Sequence, residues 1–217
     1  MVTNRPTQVE LRGRSGQSCH RRAAPLPTLV SPVVACVHTG RVIQTIKFEQ
    51  LALAATRVGV TVTPAEDSSN LYVWHTPEQE IVYIGKSASG KRTRDEIKWR
   101  EEDPRDEIRS GIITLLRANH ALLQPLGYEK DSFDPSACRA RIAADGWSGP
   151  AIEKVCALLA DRSPTAEEVE QLLIRICVRY GVPLGNSQFA SQWETPIGSP
   201  IDTMAAISVY ADDEFRP

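Results

Sequence analysis

The feature that most constrains this chain is a pair of short β-prone runs, residues 71–74 (Leu71-Tyr72-Val73-Trp74) and 81–84 (Ile81-Val82-Tyr83-Ile84), with a polar break from His75 to Glu80 between them. Aromatic and β-branched side chains favour strands and the polar break favours a turn, so the two runs are expected to pair as a hairpin. Gly85 follows, where it would permit a turn that a β-carbon obstructs. Residues 86–94 then hold Lys86, Lys91, Arg92 and Arg94 and no acid. A hairpin carrying Tyr72 and Tyr83 beside four cations suits a polyanion such as a nucleic-acid backbone. The plainer reading of the same residues is a surface hairpin with a solvated basic loop.

A second pattern overlaps the first. Residues 85–91 fit G-x-x-x-x-G-K after a strand, the form of a phosphate-cradling P-loop. That loop requires Ser or Thr next, to hold magnesium, and Arg92 stands there. It also requires further parallel strands, one ending in a metal-binding acid. The residues after Arg94 are patterned mostly as helices, which disfavours a P-loop nucleotide-binding protein.

With 217 residues, 41% of them hydrophobic, the chain can build one domain with appendages. No apolar run is long enough to span a membrane. Cys19, Cys36, Cys138, Cys156 and Cys177 have no C-x-x-C spacing, which points to reduced thiols in a cytoplasmic protein rather than a zinc site or a disulfide framework. His20, His38, His75 and His120 are scattered, and only His75 falls beside the hairpin. The net charge of −2 hides an asymmetry: residues 1–50 carry seven Arg or Lys against Glu10 and Glu49, an excess of +5, which leaves −7 for the rest. A nucleic-acid binder need be basic only along its binding face.

Residues 1–28 are polar, Arg-rich and broken by Pro6, Pro25 and Pro27, and are expected to form a disordered basic arm, either tracking phosphates or dispensable. Residues 29–68 are expected as a strand and helix extension: a strand over 30–37, a helix over 48–58 closed near Gly59, and a brief strand over 60–63. Beyond the basic turn, a helix is expected over 92–102. Ile108, Ile112, Leu115, Leu116, Leu122, Leu123 and Leu126 then recur at helical spacing, although 111–116 suits a strand as well. Asp134-Pro135 and Gly149-Pro150 each open a helix, through Ala144 and Leu159 respectively. The tail from 188 to 217 is expected to pack only in part.

One helix carries more information than the others. Thr165 and Glu168 form a capping box, and the helix runs to Tyr180 with Gly181 closing it. At 100° per residue, Val169, Leu172, Leu173, Ile176, Cys177 and Tyr180 make the buried stripe, extended by Ile174 and Val178. Glu168, Gln171, Arg175 and Arg179 lie opposite. Glu170 projects inside the apolar arc, where a carboxylate is costly without a partner or a metal.

Taken together, these motifs resemble the GIY-YIG nucleases. Tyr83-Ile84-Gly85 reproduces the second strand motif, with Lys86 a common choice at the next place. Leu71-Tyr72-Val73 keeps the tyrosine of the first, offset by one place and without its glycine. Glu170-Gln171-Leu172-Leu173-Ile174 has the spacing of the family's Glu-x-x-Leu-Ile helix, and Pro183 and Asn186 follow as its Pro and Asn do. Thr93 occupies the place of the family arginine, flanked by Arg92 and Arg94; Arg92 is preferred because Ile97 then falls at a buried family position. Glu96 or Lys98 stands where the family has His or Tyr. The resemblance covers residues 69–187, with a helical insertion at 103–163.

It implies an α/β (α+β) fold, a small mixed or antiparallel sheet covered by helices. It also implies a metal-dependent DNA endonuclease of restriction, homing or repair type. Glu170 would bind one Mg²⁺ or Mn²⁺. Tyr72 would help take the proton from an attacking water, assisted by Lys86. Tyr83 and Arg92 or Arg94 would position and neutralise the scissile phosphate, and Asn186 completes the motif set. Lys91 would be a non-specific phosphate contact. The partner it implies is DNA, with no membrane. The alternative from another class is a catalytically silent DNA-binding module that keeps the hairpin.

Overall fold

A computed structural model describes residues 45–66, 70–87, 107–186 and 198–210, together with Lys98, which is helical. The basic arm, the strand expected over 30–37, Lys91, Arg92, Arg94 and nearly all of the helix expected over 92–102 lie outside the described residues.

The described elements are α1 (Phe48–Thr56), β1 (Thr63–Pro64), β2 (Leu71–His75), β3 (Ile81–Lys86), α2 (Glu107–Ala118), β4 (Leu122–Gly127), α3 (Pro135–Ala144), α4 (Pro150–Asp161), α5 (Ala166–Arg179) and α6 (Pro200–Tyr210). The fold is α+β, with one four-stranded sheet in the order β1-β4-β2-β3 and every pairing antiparallel. This is the fold class the sequence implied, with the antiparallel form of the sheet. None of the described strands is parallel to another, whereas a P-loop requires a parallel sheet.

The hairpin forms as expected. Thr76 builds its turn: the side-chain oxygen accepts from the backbone N–H groups of Glu78 (3.2 Å) and Glu80 (3.3 Å), while its own N–H donates to the Glu80 carbonyl. Gly85 is not in a turn. It lies within β3, opposite Tyr72.

The largest departure concerns 122–127, expected as more helix. Leu122, Leu123 and Leu126 belong to β4, which lies between β2 and β1. Helix α2 ends instead at Ala118, and two residues on His120, with a φ of +48°, takes the left-handed conformation that glycine usually supplies. The Ala121 N–H reaches back to the Leu116 carbonyl and that of His120 to Arg117, closing the helix. Pro125 fits in β4 because its carbonyl, and hence its missing N–H, faces β1, where Ala65 supplies the bond. Residues 111–116, left open between helix and strand, are helical. The segment 103–163 therefore holds helices and a central strand of the sheet.

The two faces of the sheet differ. Tyr72, Trp74 and Tyr83 pack with Val82 and with Ile113, Leu116 and Ala121 from α2 and its end. Leu71, Val73 and Ile84 belong to the larger core with residues of α1, α4, α5 and α6. In the tail, residues 188–197 and 211–217 lie outside the described residues, and α6 buries Ile201, Met204, Ala205, Ile207 and Val209. Its Asp202 carboxylate accepts from Arg179 on α5 at 3.0 Å. Helices α3 and α4 begin at the expected Pro residues, with the Asp134 side chain accepting from Ser136 N–H at 2.9 Å.

Candidate active site

Tyr72 and Tyr83 come together by strand register. Tyr72 is opposite Gly85 and Tyr83 opposite Trp74, so the tyrosines are diagonal neighbours on one face. Their rings stack with centroids 6.4 Å apart and planes inclined by 29°. Gly85 makes this possible. A β-carbon there would stand 2.4 Å from both Cζ and Oη of Tyr72. The phenol thus lies across the glycine, at the end of β3 where Lys86 follows. Both tyrosines are buried, at 0% and 4% exposure.

Lys86 is half-exposed, and its Nζ pairs with Glu167 Oε2 at 2.5 Å. Glu167 sits in the first turn of α5, where a carboxylate also complements the helix dipole. Sequence reasoning missed it; a contact across 81 positions leaves no local trace.

Helix α5 forms as expected. Thr165 Oγ1 accepts from Glu168 N–H at 3.2 Å and Glu168 Oε2 accepts from Thr165 N–H at 2.7 Å. Gly181, at φ +75°, closes it, and the N–H of buried Val182 reaches the Cys177 carbonyl in a Schellman arrangement. Val178, expected to extend the buried stripe, is 40% exposed. The helix meets the sheet along β3, the edge strand. Glu170 is 1% exposed, inside the apolar arc as expected, and stands one turn beyond Glu167.

Asn186 is buried against the open edge of β3. Its Oδ1 accepts from Ile84 N–H at 2.8 Å, and its Nδ2 donates to the Ile84 carbonyl at 2.6 Å. Its amide therefore acts on the backbone next to Tyr83. His75, the histidine beside the hairpin, donates from Nδ1 to the Thr76 carbonyl at 2.7 Å, a local turn bond.

The charges around α5 are ordered. Arg162 grips Glu168 with two bonds, 2.6 and 2.7 Å, and with the Thr165 bonds this brings the Glu168 carboxyl down to about 2, against burial. Tyr128, whose hydroxyl donates to the Pro164 carbonyl, is pushed up to about 12, first by burial and then by Glu168.

Among the described residues no cluster of three or more Asp, Glu, His or Cys side chains could enclose a metal. Magnesium commonly takes only one or two protein carboxylates and completes its shell with water and substrate phosphate oxygens. The hard oxygens of Glu170 fit that demand. Tyr72 and Tyr83 are thus brought together on the sheet face that packs with α2. Lys86, by strand alternation, and α5, which carries Glu170, belong with the opposite face. Asn186 is tied to the edge of β3. Arg92 and Arg94 lie outside the described residues. No protein-family model, curated protein or solved structure matches this chain. Among the described residues no helix is long and apolar enough to cross a membrane.

Proposed function

We propose that the protein is a metal-dependent DNA endonuclease acting on phosphodiester bonds, in a cytoplasmic setting, with Glu170 as the protein ligand of one Mg²⁺ or Mn²⁺. The observation that carries this reading is the burial of Glu170: a carboxylate 1% exposed on the helix that packs along β3, one turn from the partner of Lys86. A buried carboxylate needs partners that compensate its charge, and a divalent cation is one that suits its hard oxygens.

When bound, the metal supplies Lewis-acid stabilisation of charge on the phosphoryl group and the leaving oxygen. The residues of the chain do the rest. Tyr72 takes a proton from the attacking water, its phenol set across Gly85 at the end of β3. Tyr83 and Arg92 or Arg94 hold the scissile phosphate. Asn186 acts on the backbone of Ile84, fixing the strand that carries Tyr83 and Lys86.

A second reading, a catalytically silent DNA-binding module, is favoured by the burial of Tyr72 and Tyr83 at 0% and 4% exposure. A phenol takes a proton only from water that reaches it, so the nuclease reading requires Tyr72 to open to solvent when DNA binds. Nicking of supercoiled plasmid in Mg²⁺ and in EDTA separates the two. Metal-dependent nicking that disappears in Tyr72→Phe supports the nuclease. DNA binding without nicking in Mg²⁺ or Mn²⁺ overturns it in favour of the silent module.

A further inference from the structure

Lys86 closes β3, and its charge is already engaged. Its ammonium lies 2.5 Å from Glu167, with 32% of the lysine side chain and 55% of the glutamate side chain exposed. We propose that Glu167 is an internal competitor for Lys86, holding the ammonium where a backbone phosphate oxygen of nucleic acid would otherwise take it. Binding then exchanges a carboxylate partner for a phosphate partner. This rests on the reading of the site as DNA-binding and holds for both the active and the silent form of it.

Three features support an exchangeable contact over a fixed strut. The pair is open to water, and ion pairs so exposed contribute little to folding, so opening this one costs the fold little. Glu167 is not stranded when Lys86 leaves, because it remains hydrated and stays in the first turn of α5, where the helix dipole favours a carboxylate. The adjacent Glu168 is committed elsewhere, to Arg162 and the Thr165 N–H, so it does not take over as a partner. Until the exchange, Glu167 also places a negative charge in the path of an approaching polyanion.

The test measures the affinity of a short mixed-sequence DNA duplex by fluorescence anisotropy, in EDTA and over a salt series. The full-length chains compared are wild type, Glu167→Gln, Lys86→Gln, the double variant, and Glu153→Gln. Glu153 is an exposed carboxylate on α4 and controls for loss of one negative charge anywhere. Glu167→Gln should bind about two- to fivefold tighter than Glu153→Gln at low salt, the range an exposed pair can supply. In the Lys86→Gln background the same change should give no more than the Glu153→Gln effect. A gain that persists without Lys86, or no gain beyond the control, overturns the competitor while leaving DNA binding intact. Failure of all five proteins to bind DNA overturns both the DNA-binding reading and the competitor.

Discussion

Asn186 serves the edge strand as a substitute strand partner: its side-chain amide takes up both the N–H and the C=O of Ile84, the two groups that face away from β2. An edge strand otherwise leaves such groups open, and here they are covered by a residue 102 positions away. Asn186→Ala should leave two buried backbone groups without their partner and lower stability by about 1–3 kcal/mol. Asn186→Asp should be worse near neutral pH, because a carboxylate oxygen replaces the donor that meets the Ile84 carbonyl. Urea midpoints for the three proteins check this. Equal midpoints would mean that the amide pairing contributes nothing.

Gly85 and Tyr72 make a second dependent pair. A β-carbon on Gly85 would come within 2.4 Å of the Tyr72 ring and hydroxyl and 2.7 Å of Cε2. Gly85→Ala should therefore cost about 1–3 kcal/mol through overpacking. Tyr72→Phe should not rescue it, since Cζ remains. Tyr72→Ala removes the clash and leaves its own cavity, so the double variant should be less destabilised than the sum of the singles. Strict additivity in denaturant unfolding would contradict the packing described here.

Much of this was legible in the sequence, for local reasons. The ends of α5 are set by Thr165, Glu168 and Gly181, and the starts of α3 and α4 by Asp134-Pro135 and Gly149-Pro150. The burial of Glu170 follows from helical periodicity alone. The failures are equally physical. His120 stops α2 in the backbone conformation where a glycine was the signal to look for, so β4 read as continued helix, although Pro125 and Gly127 argued against it. The reason for Gly85 depends on a cross-strand neighbour. The partners of Lys86 and Asn186 depend on the fold, and neither leaves a mark near its own position.

The Arg162–Glu168 pair predicts a pH dependence. The Glu168 carboxyl lies at about 2 in the folded chain against an ordinary value of 4.5, mainly through Arg162. A folded value below the unfolded one means that the stabilisation is present above about pH 4.5 and is lost as pH falls towards 2. Glu168→Gln should therefore have a lower thermal midpoint than wild type at pH 6, and the gap should narrow steadily between pH 4.5 and 2. A gap that is constant with pH would assign the effect to capping alone.

Glu170 is where stability and activity should part company. As a carboxylate held only for the fold, its replacement by Gln would change stability by no more than about 1 kcal/mol and leave cleavage untouched. As the ligand of a divalent cation, Glu170→Gln removes a charged oxygen donor that a neutral amide replaces poorly. Cleavage of plasmid in Mg²⁺ should then fall by at least about a hundredfold, close to 2.7 kcal/mol of transition-state stabilisation. Folding without metal should be unharmed or improved, because an amide is cheaper to bury than a carboxylate. Ligand linkage gives a readout that does not depend on activity: a cation that binds only the folded chain stabilises it by about 2.7 kcal/mol at a hundred times its dissociation constant. Added Mn²⁺ should therefore raise the thermal midpoint of wild type and of Glu153→Gln, but not that of Glu170→Gln. A wild-type midpoint indifferent to Mn²⁺, or one that rises equally in Glu170→Gln, would remove Glu170 from the metal site whatever the plasmid shows.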